Sequence, residues 1–392
     1  MAIEVLLDGD AVPIEEAVFR ELLDNSVAGT YKGFEKALGS GRIKFQDLLW
    51  LADKGEIPYS LFFAPYELVQ DQVKKKSEKL LAGLSKDTFS IGSRSKVHLR
   101  DVELIVKDLI RKQELVRKHD KSLQRNKIVG VLRDAGSSVE ADAGRLMSAI
   151  GLTHESLRAC RTKDKALEMM IERLEANQVL VSRSVQHYMP QRLTHVQFSG
   201  LTIRDNKVPY IFLAGGDHRD DQETAGRTIF TLALLTVLIA RRIFAPMTWD
   251  GGTAALEPGR EYDIAGAMLM PGERFLALGP RSLNDMHNAS ETFKVTPSAA
   301  TVRAMRLGII NPATANEYLG EFREEFRSRP KGGPRNQIRP ENAVNKYNGR
   351  ELNRRMLDAL DERSISPGEF CRAVCLNHLK PSQIDDLRRV LR

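Results

Sequence analysis

Three side chains near the end of the chain have the chemistry of metal ligands. The segment "CRAVCLNH" places Cys371, Cys375 and His378 at positions i, i+4 and i+7, which is one face of a helix. Thiolates and imidazoles bind zinc. Helical geometry spreads the three over two turns, however, and no fourth ligand lies nearby in the sequence. Two cysteines packed in a helical core is therefore the favoured interpretation, with a zinc site as the alternative.

A second polar group lies in the segment "GGDHRDDQE". It contains Asp217, His218, Asp220, Asp221 and Glu223. A metal site or acid–base chemistry is conceivable, but the run begins with glycines and separates a predicted strand from a predicted helix. An exposed loop is the simpler interpretation. The sequence contains no Walker-type phosphate loop, no dinucleotide fingerprint and no nucleophile elbow.

The helix that follows is the most apolar stretch of the chain, "TIFTLALLTVLIARR". A membrane span needs about 20 apolar residues, and this stretch is too short. Its composition predicts a helix that is buried on all sides. The N-terminus lacks the basic and apolar regions of a signal peptide, and three scattered cysteines indicate a reducing compartment. We therefore expect a cytoplasmic location and no membrane association.

The elements around these side chains are mostly helices. The segment "PIEEAVFRELLDN" predicts a first helix that starts at Pro13. Ser137 followed three residues later by Glu140 predicts a capped helix, and "KALEMMIERLEANQVLV" predicts a helix, a turn at Asn177 and a strand. The segment "HVQFSGLTIRDNKVPYIFLAG" predicts a pair of strands around the turn "RDNK". The predicted fold class is α+β and predominantly α-helical.

The charge balance is basic but mild. The 392 residues include 59 Lys and Arg against 52 Asp and Glu, a net charge of +7. This charge fits a nucleic acid or an acidic protein partner, although a solvated surface of mixed sign explains it equally well. Candidate contacts are the lysine run at Lys74, Lys75 and Lys76 and the pair Arg241 and Arg242, with a solvated helix face as the alternative.

The order of these segments resembles the ImmA/IrrE metallopeptidase family. Its members run from a strand ending "P-x-I-x-V-N" into the zinc helix "R-x-x-F-T-L-A-H-E-L-G-H", and here "VPYIFLAG" and "RTIFTLA" fit that frame. Downstream, "DIAGAMLMPGERF" and "FKVTPSAATVRAMRLGII" are similar to the family's next segments. Upstream, "YKGFEKALGSGRIKFQDLLWLADKGEIPYSLFFAP" is similar to the rear half of the helix-turn-helix region of long members. The resemblance thus covers most of the chain.

The resemblance implies a zinc site whose ligands this chain lacks. The family's zinc helix carries His at i and i+4 with Glu beside the first His as general base. Those positions here are Leu234, Leu235 and Leu238. Leucine has no lone pair for zinc and cannot accept a proton from water. Zinc is therefore expected in the family but not here.

The family's third ligand is a carboxylate that lies downstream of the zinc helix. Counting back from the Pro of "LMP" places this position at Pro258, which Glu257 and Glu261 flank. One carboxylate by itself would not hold catalytic zinc.

The resemblance implies four regions, and together with the charge balance it leaves three functions to consider. The regions are a degenerate helix-turn-helix-like region at 1–65, a charged helical connector at 66–135, a zincin-like, peptidase-like core at 136–285 and a helical domain at 286–392. The first function is an inactive pseudo-peptidase that binds a regulator or repressor in a phage, mobile-element or stress-response switch. The second is a DNA-binding transcriptional regulator. The third is an active metallopeptidase with a non-standard metal site.

Overall fold

The computed structural model describes residues 2–81, 102–186, 188–193, 198–215, 224–248, 259–328 and 338–392. These residues form a predominantly helical α+β protein with two small sheets, as the sequence predicts. The zincin-like core that the resemblance implies stays a prediction. The segment at 85–98, whose Ser and Gly residues predict a loop, lies outside these ranges.

The first sheet is built on a β-hairpin that the sequence analysis missed. Strands β1 (Ala2–Leu7) and β2 (Asp10–Glu15) are antiparallel, and β3 (Arg42–Lys44) pairs in parallel with β1. The hairpin turn is Asp8-Gly9, with φ of 49° and 98°. A two-residue Asp-Gly turn between apolar runs is a strong hairpin signal.

The prediction of a first helix starting at Pro13 is therefore wrong. Pro13 lies in β2, and the first helix begins at Glu16. The strand β2 lies at the edge of its sheet, where proline costs no ladder hydrogen bond.

Four helices complete the apolar cluster of this N-terminal part. They are α1 (Glu16–Asp24), α2 (Lys32–Ser40), α3 (Phe45–Lys54) and α4 (Tyr66–Leu81). The segment "SLFFAP" packs on them: Phe62 is buried, with its ring centroid 6.0 Å from that of Phe19.

The second sheet lies at the centre of the larger part of the chain. Its strands are β4 (Leu180–Arg183), β5 (Phe198–Ile203), β6 (Tyr210–Leu213) and β7 (Pro246–Thr248). The order is β4-β6-β5-β7, with β4 and β6 parallel and the other pairs antiparallel. The predicted strand pair, β5 and β6, is confirmed.

Alternating side chains of this sheet enter two separate apolar clusters, as the pleat requires. Val181, Ile211 and Leu213 belong to a front cluster, whereas Leu180 and Phe212 belong to a back cluster. The back cluster is completed by α5 (Glu103–His119), α15 (Pro340–Asn348), α16 (Arg350–Asp361), α17 (Pro367–Ala373) and α18 (Ile384–Leu391).

The front cluster contains the helix predicted from the apolar run "TIFTLALLTVLIARR". The helices on this side are α6 (Val139–Ile150), α7 (His154–Ala159), α8 (Lys163–Ala176), α9 (Ala225–Ala240), α10 (Arg260–Leu269), α11 (Gly272–Leu278), α12 (Leu283–Thr292), α13 (Pro297–Arg306) and α14 (Pro312–Ser328). Within the ranges given above, no helix is long and apolar enough to cross a membrane. The division into four regions stays a prediction.

The cap predicted for α6 is wrong in its residues. Ser138, not Ser137, caps the helix by accepting a hydrogen bond from the backbone N–H of Ala141. Glu140 does not fold back onto the cap, because its carboxylate instead binds Arg303 and the N–H of Gly272. A tertiary ion pair has replaced the local capping box.

Candidate functional site

The helix α9 is buried along almost its whole length. Thirteen of its 16 residues are buried, and it lies between the sheet and the helices α8 and α10. The helix α9 packs closely against β5, and this close approach is possible because residue 200 is glycine. A Cβ added at Gly200 would lie 2.8 Å from Cδ1 of Leu235 and 2.5 Å from the carbonyl oxygen of Phe212.

The three leucines that the resemblance aligns with the family's zinc positions are core residues. Leu234 is 3% exposed, Leu235 is 0% exposed and Leu238 is 2% exposed, and all three belong to the front cluster. A catalytic zinc site keeps one coordination position open to water or substrate. These side chains instead present hydrocarbon to hydrocarbon, so this part of α9 can pack but cannot bind metal or transfer a proton.

The region of the third ligand is described only in part. Glu257 and Pro258 lie outside the described ranges. Glu261 stands in the first turn of α10, is 9% exposed and pairs with Arg241 at 3.2 Å. Its carboxylate therefore joins the end of α9 to the start of α10.

One further ion pair holds α10 directly, and a second joins its neighbours α6 and α13. Arg260 binds Asp142 of α6 at 2.6 Å. The guanidinium of Arg303 binds Glu140 at 2.5 Å and donates from Nε to the carbonyl oxygen of Met270 at 3.0 Å. The charges around α9 therefore join helices to one another, and none of these contacts points at a reacting group.

The candidate contacts for a partner have unequal access to solvent. Lys74 is exposed, and Lys75 pairs with Asp71 at 2.6 Å. Lys76 is turned inward, where its Nζ lies 2.6 Å from Oε1 of Glu103. Burial lowers the pKa of Lys76 despite the charge of Glu103.

Glu103 is the centre of a buried ion cluster between α4 and α5. Its side chain is 1% exposed and also pairs with Lys107 at 2.8 Å, which in turn pairs with Glu56 at 2.9 Å. Burial by itself would lower the pKa of Lys107, but the two carboxylates outweigh burial and raise it. The inner end of the lysine run thus attaches the N-terminal part to the rest of the chain.

The arginines after α9 are also engaged within the fold. Arg241 binds Glu261, as described above. Arg242 adopts a φ of 61°, packs its side chain against Gly130 and donates to Oδ1 of Asn206 at 3.4 Å. Both keep partial exposure.

The prediction that Cys371, Cys375 and His378 share one helix face is wrong. The helix α17 ends at Ala373, so only Cys371 is helical. Leu376 and Asn377 then take positive φ values of 50° and 60°, which turns the chain. The three side chains do not form a metal-binding group.

Cys375 packs in the back cluster, whereas His378 is an exposed residue at its surface. Cys375 is fully buried, and burial raises the pKa of its thiol to about 12. His378 stacks on Tyr188 with 4.2 Å between ring centroids, and burial lowers its pKa. Both cysteines are core residues, as the favoured interpretation states. The loop with Asp217, His218, Asp220, Asp221 and Glu223 lies outside the described ranges.

A buried polar network in the back cluster was missed by the sequence analysis. The Nζ of Lys112 lies 2.8 Å from Oδ2 of Asp108, donates to Oδ1 of Asn348 at 2.6 Å and sits 4.3 Å from the ring centroid of Tyr347. The Tyr347 hydroxyl donates to Oδ2 of Asp108 at 3.0 Å. Burial lowers the pKa of Lys112 against the opposing effect of Asp108.

A buried carboxylate, that of Glu175, lies against the first turn of α16. Glu175, at the end of α8, accepts a hydrogen bond on Oε2 from the N–H of Glu351 in the first turn of α16. Burial raises the pKa of Glu175 to about 8, against the effect of that hydrogen bond. Gly349, with a φ of 82°, allows this close approach because a Cβ there would collide with the carboxylate.

At the positions that the resemblance aligns with the zinc site, the described side chains are either packed in the core or paired within the fold. Within these ranges, no group of three or more His, Cys, Asp or Glu side chains could hold a metal ion. No protein-family model, no curated protein and no solved structure matches the chain.

Proposed function

We propose that this chain is a catalytically inactive pseudo-peptidase of the ImmA/IrrE type that acts as a regulatory protein-binding factor in a phage, mobile-element or stress-response switch. The observation that carries the proposal is the burial of Leu234, Leu235 and Leu238 at 3% exposure or less. A helix with these leucines stabilises the fold through burial, and the two His and the Glu of the family's motif are missing.

A protein partner is supported by the exposed apolar side chains of the N-terminal part. Among the residues that the structure describes, seven of the ten exposed large hydrophobic residues lie between residues 6 and 68, in a region that is less than a fifth of the chain. Three of them are aromatic: Trp50, Tyr59 and Phe63, which are 43–53% exposed. Aromatic side chains supply most of the binding energy in many protein interfaces.

The test is affinity capture from the native host with two matched triple variants. Trp50→Ala/Tyr59→Ala/Phe63→Ala removes the exposed aromatic side chains. Leu276→Ala/Leu278→Ala/Ile338→Ala removes three exposed apolar side chains elsewhere. Circular dichroism establishes that both variants are folded.

We expect one specific partner that the first variant loses and the second retains, and that stays intact during incubation with added zinc. Absence of a specific partner would contradict the binding role. Zinc-dependent cleavage of the partner, with one zinc per chain by mass spectrometry, would contradict the inactive role and favour a metallopeptidase with a non-standard site.

A further inference from the structure

At the end of the central sheet where β5 turns into β6, exposed cations form no ion pair with any carboxylate that the structure describes. The chain from Lys121 to Arg133 contains four basic residues and no acidic residue. The turn between β5 and β6 adds Arg204 and Lys207. We call the four exposed cations Arg125, Lys127, Arg204 and Lys207 the basic edge.

Hydrogen bonds bring the two segments of the basic edge together. The N–H of Asn126 donates to the carbonyl oxygen of Asn206 at 2.8 Å. The Gln178 amide donates to the carbonyl oxygens of Gln124, at 2.8 Å, and Lys207, at 3.0 Å. The two segments are thus joined directly and through Gln178, and the cations between these bonds share one surface.

The one acidic residue of this turn is already satisfied within the fold. Asp205 accepts hydrogen bonds from the N–H groups of Lys207 and Val208 at 2.6 and 2.9 Å, and its other oxygen pairs with Arg117 at 3.2 Å. Its side chain is 10% exposed. Throughout the part of the chain that the structure describes, no ion pair involves a cation of the basic edge. Their charges face solvent.

The chemistry of the basic edge indicates which ligand it fits. None of the exposed large hydrophobic residues belongs to it, whereas protein interfaces depend on apolar and aromatic anchors. Interfaces with nucleic acid are polar and positively charged. We propose that the basic edge binds the phosphate backbone of duplex nucleic acid.

Contacts of lysine and arginine with phosphates carry no sequence information, so binding through the basic edge does not depend on the base sequence. No exposed aromatic side chain is available at the basic edge for stacking on unpaired bases. The duplex is therefore bound in preference to a single strand. This role is separate from the proposed protein partner, which is assigned to the N-terminal part.

The test measures the binding of the full chain to a 20-base-pair DNA duplex by fluorescence anisotropy across salt concentrations. Each cation–phosphate contact contributes about −0.9 to the slope of log K against log salt concentration, so four contacts give a slope of about −3.6. We expect the variant Arg125→Ala/Lys127→Ala/Arg204→Ala/Lys207→Ala to lose most of this slope and at least about tenfold in affinity at low salt.

The matched control is Lys36→Ala/Lys165→Ala/Arg323→Ala/Arg372→Ala. It removes two lysines and two arginines that are also exposed and have no ion pair among the described residues. We expect it to bind like the unmodified chain. Equal losses in both variants, absence of duplex binding at low salt, or tighter binding to a single strand would each overturn the proposal. Binding to phosphatidylserine vesicles in place of DNA would also overturn it.

Discussion

Introducing the zinc motif of the ImmA/IrrE family on α9 should unfold the front cluster instead of creating a metal site. The variant is Leu234→His/Leu235→Glu/Leu238→His. Each of these leucines is at most 3% exposed, and burying a leucine contributes about 1.5–3 kcal/mol. Removing three costs about 5–9 kcal/mol, and a buried carboxylate without a partner costs several kcal/mol more.

This loss is as large as the whole stability of a typical domain, about 5–15 kcal/mol. We therefore expect the variant to lose the cooperative unfolding transition that urea titration with circular dichroism detects in the unmodified chain. The matched control introduces the same residues at exposed positions, as Leu68→His/Leu276→Glu/Leu278→His. Its unfolding midpoint should stay close to that of the unmodified chain, because solvent already surrounds these side chains.

Zinc provides the refuting result. The nearest described carboxylate of the third-ligand region, Glu261, is engaged with Arg241 at 3.2 Å, so we expect added zinc to give little rescue. If the α9 variant is folded and holds one zinc per chain, a third ligand is intact and our account of a closed core helix is wrong.

Three further predictions concern the back cluster. Because the pKa of Glu175 is raised from 4.5 to about 8, the folded state binds a proton that the unfolded state releases between these values, and stability should fall as pH rises through that window. Glu175→Gln should therefore flatten the pH dependence of the unfolding free energy. At pH 9 it should stabilise the folded chain by an amount of order a few kcal/mol. An unchanged pH profile would contradict the raised pKa. Lys112→Met should lower the free energy of unfolding in urea by about 3–5 kcal/mol because it leaves Asp108 charged and unpaired in the core. The double variant Lys112→Met/Asp108→Asn should recover part of this loss. A double variant less stable than the single one would contradict the pairing. Cys375, buried and with its pKa raised to about 12, should react with Ellman's reagent at pH 8 only after unfolding, and fast labelling of the native chain would show that the thiol is accessible.

Local patterns predicted much of the fold. The apolar run of α9, the alternation in β5 and β6 and the turn at Asn177 all depend on contacts between residues near in sequence, and the structure has these elements where the pattern indicates. Asp8-Gly9 is also a local signal for a hairpin, whereas Pro13 is compatible with both a helix start and an edge strand. The burial of Leu234, Leu235 and Leu238 followed from the same apolar run, although their substitution for zinc ligands is implied only by the resemblance.

Only the tertiary structure decided how charged side chains are used. Asp108 and Lys112 of α5 are buried because α15, more than 200 residues later, supplies Asn348 and Tyr347. Likewise, Arg125 and Lys127 join Arg204 and Lys207 only because β5 and β6 bring the turn beside the loop. The sequence by itself determined which residues are apolar and which are charged. Whether a charge is paired in the core or left facing solvent depends on long-range contacts that no local pattern contains.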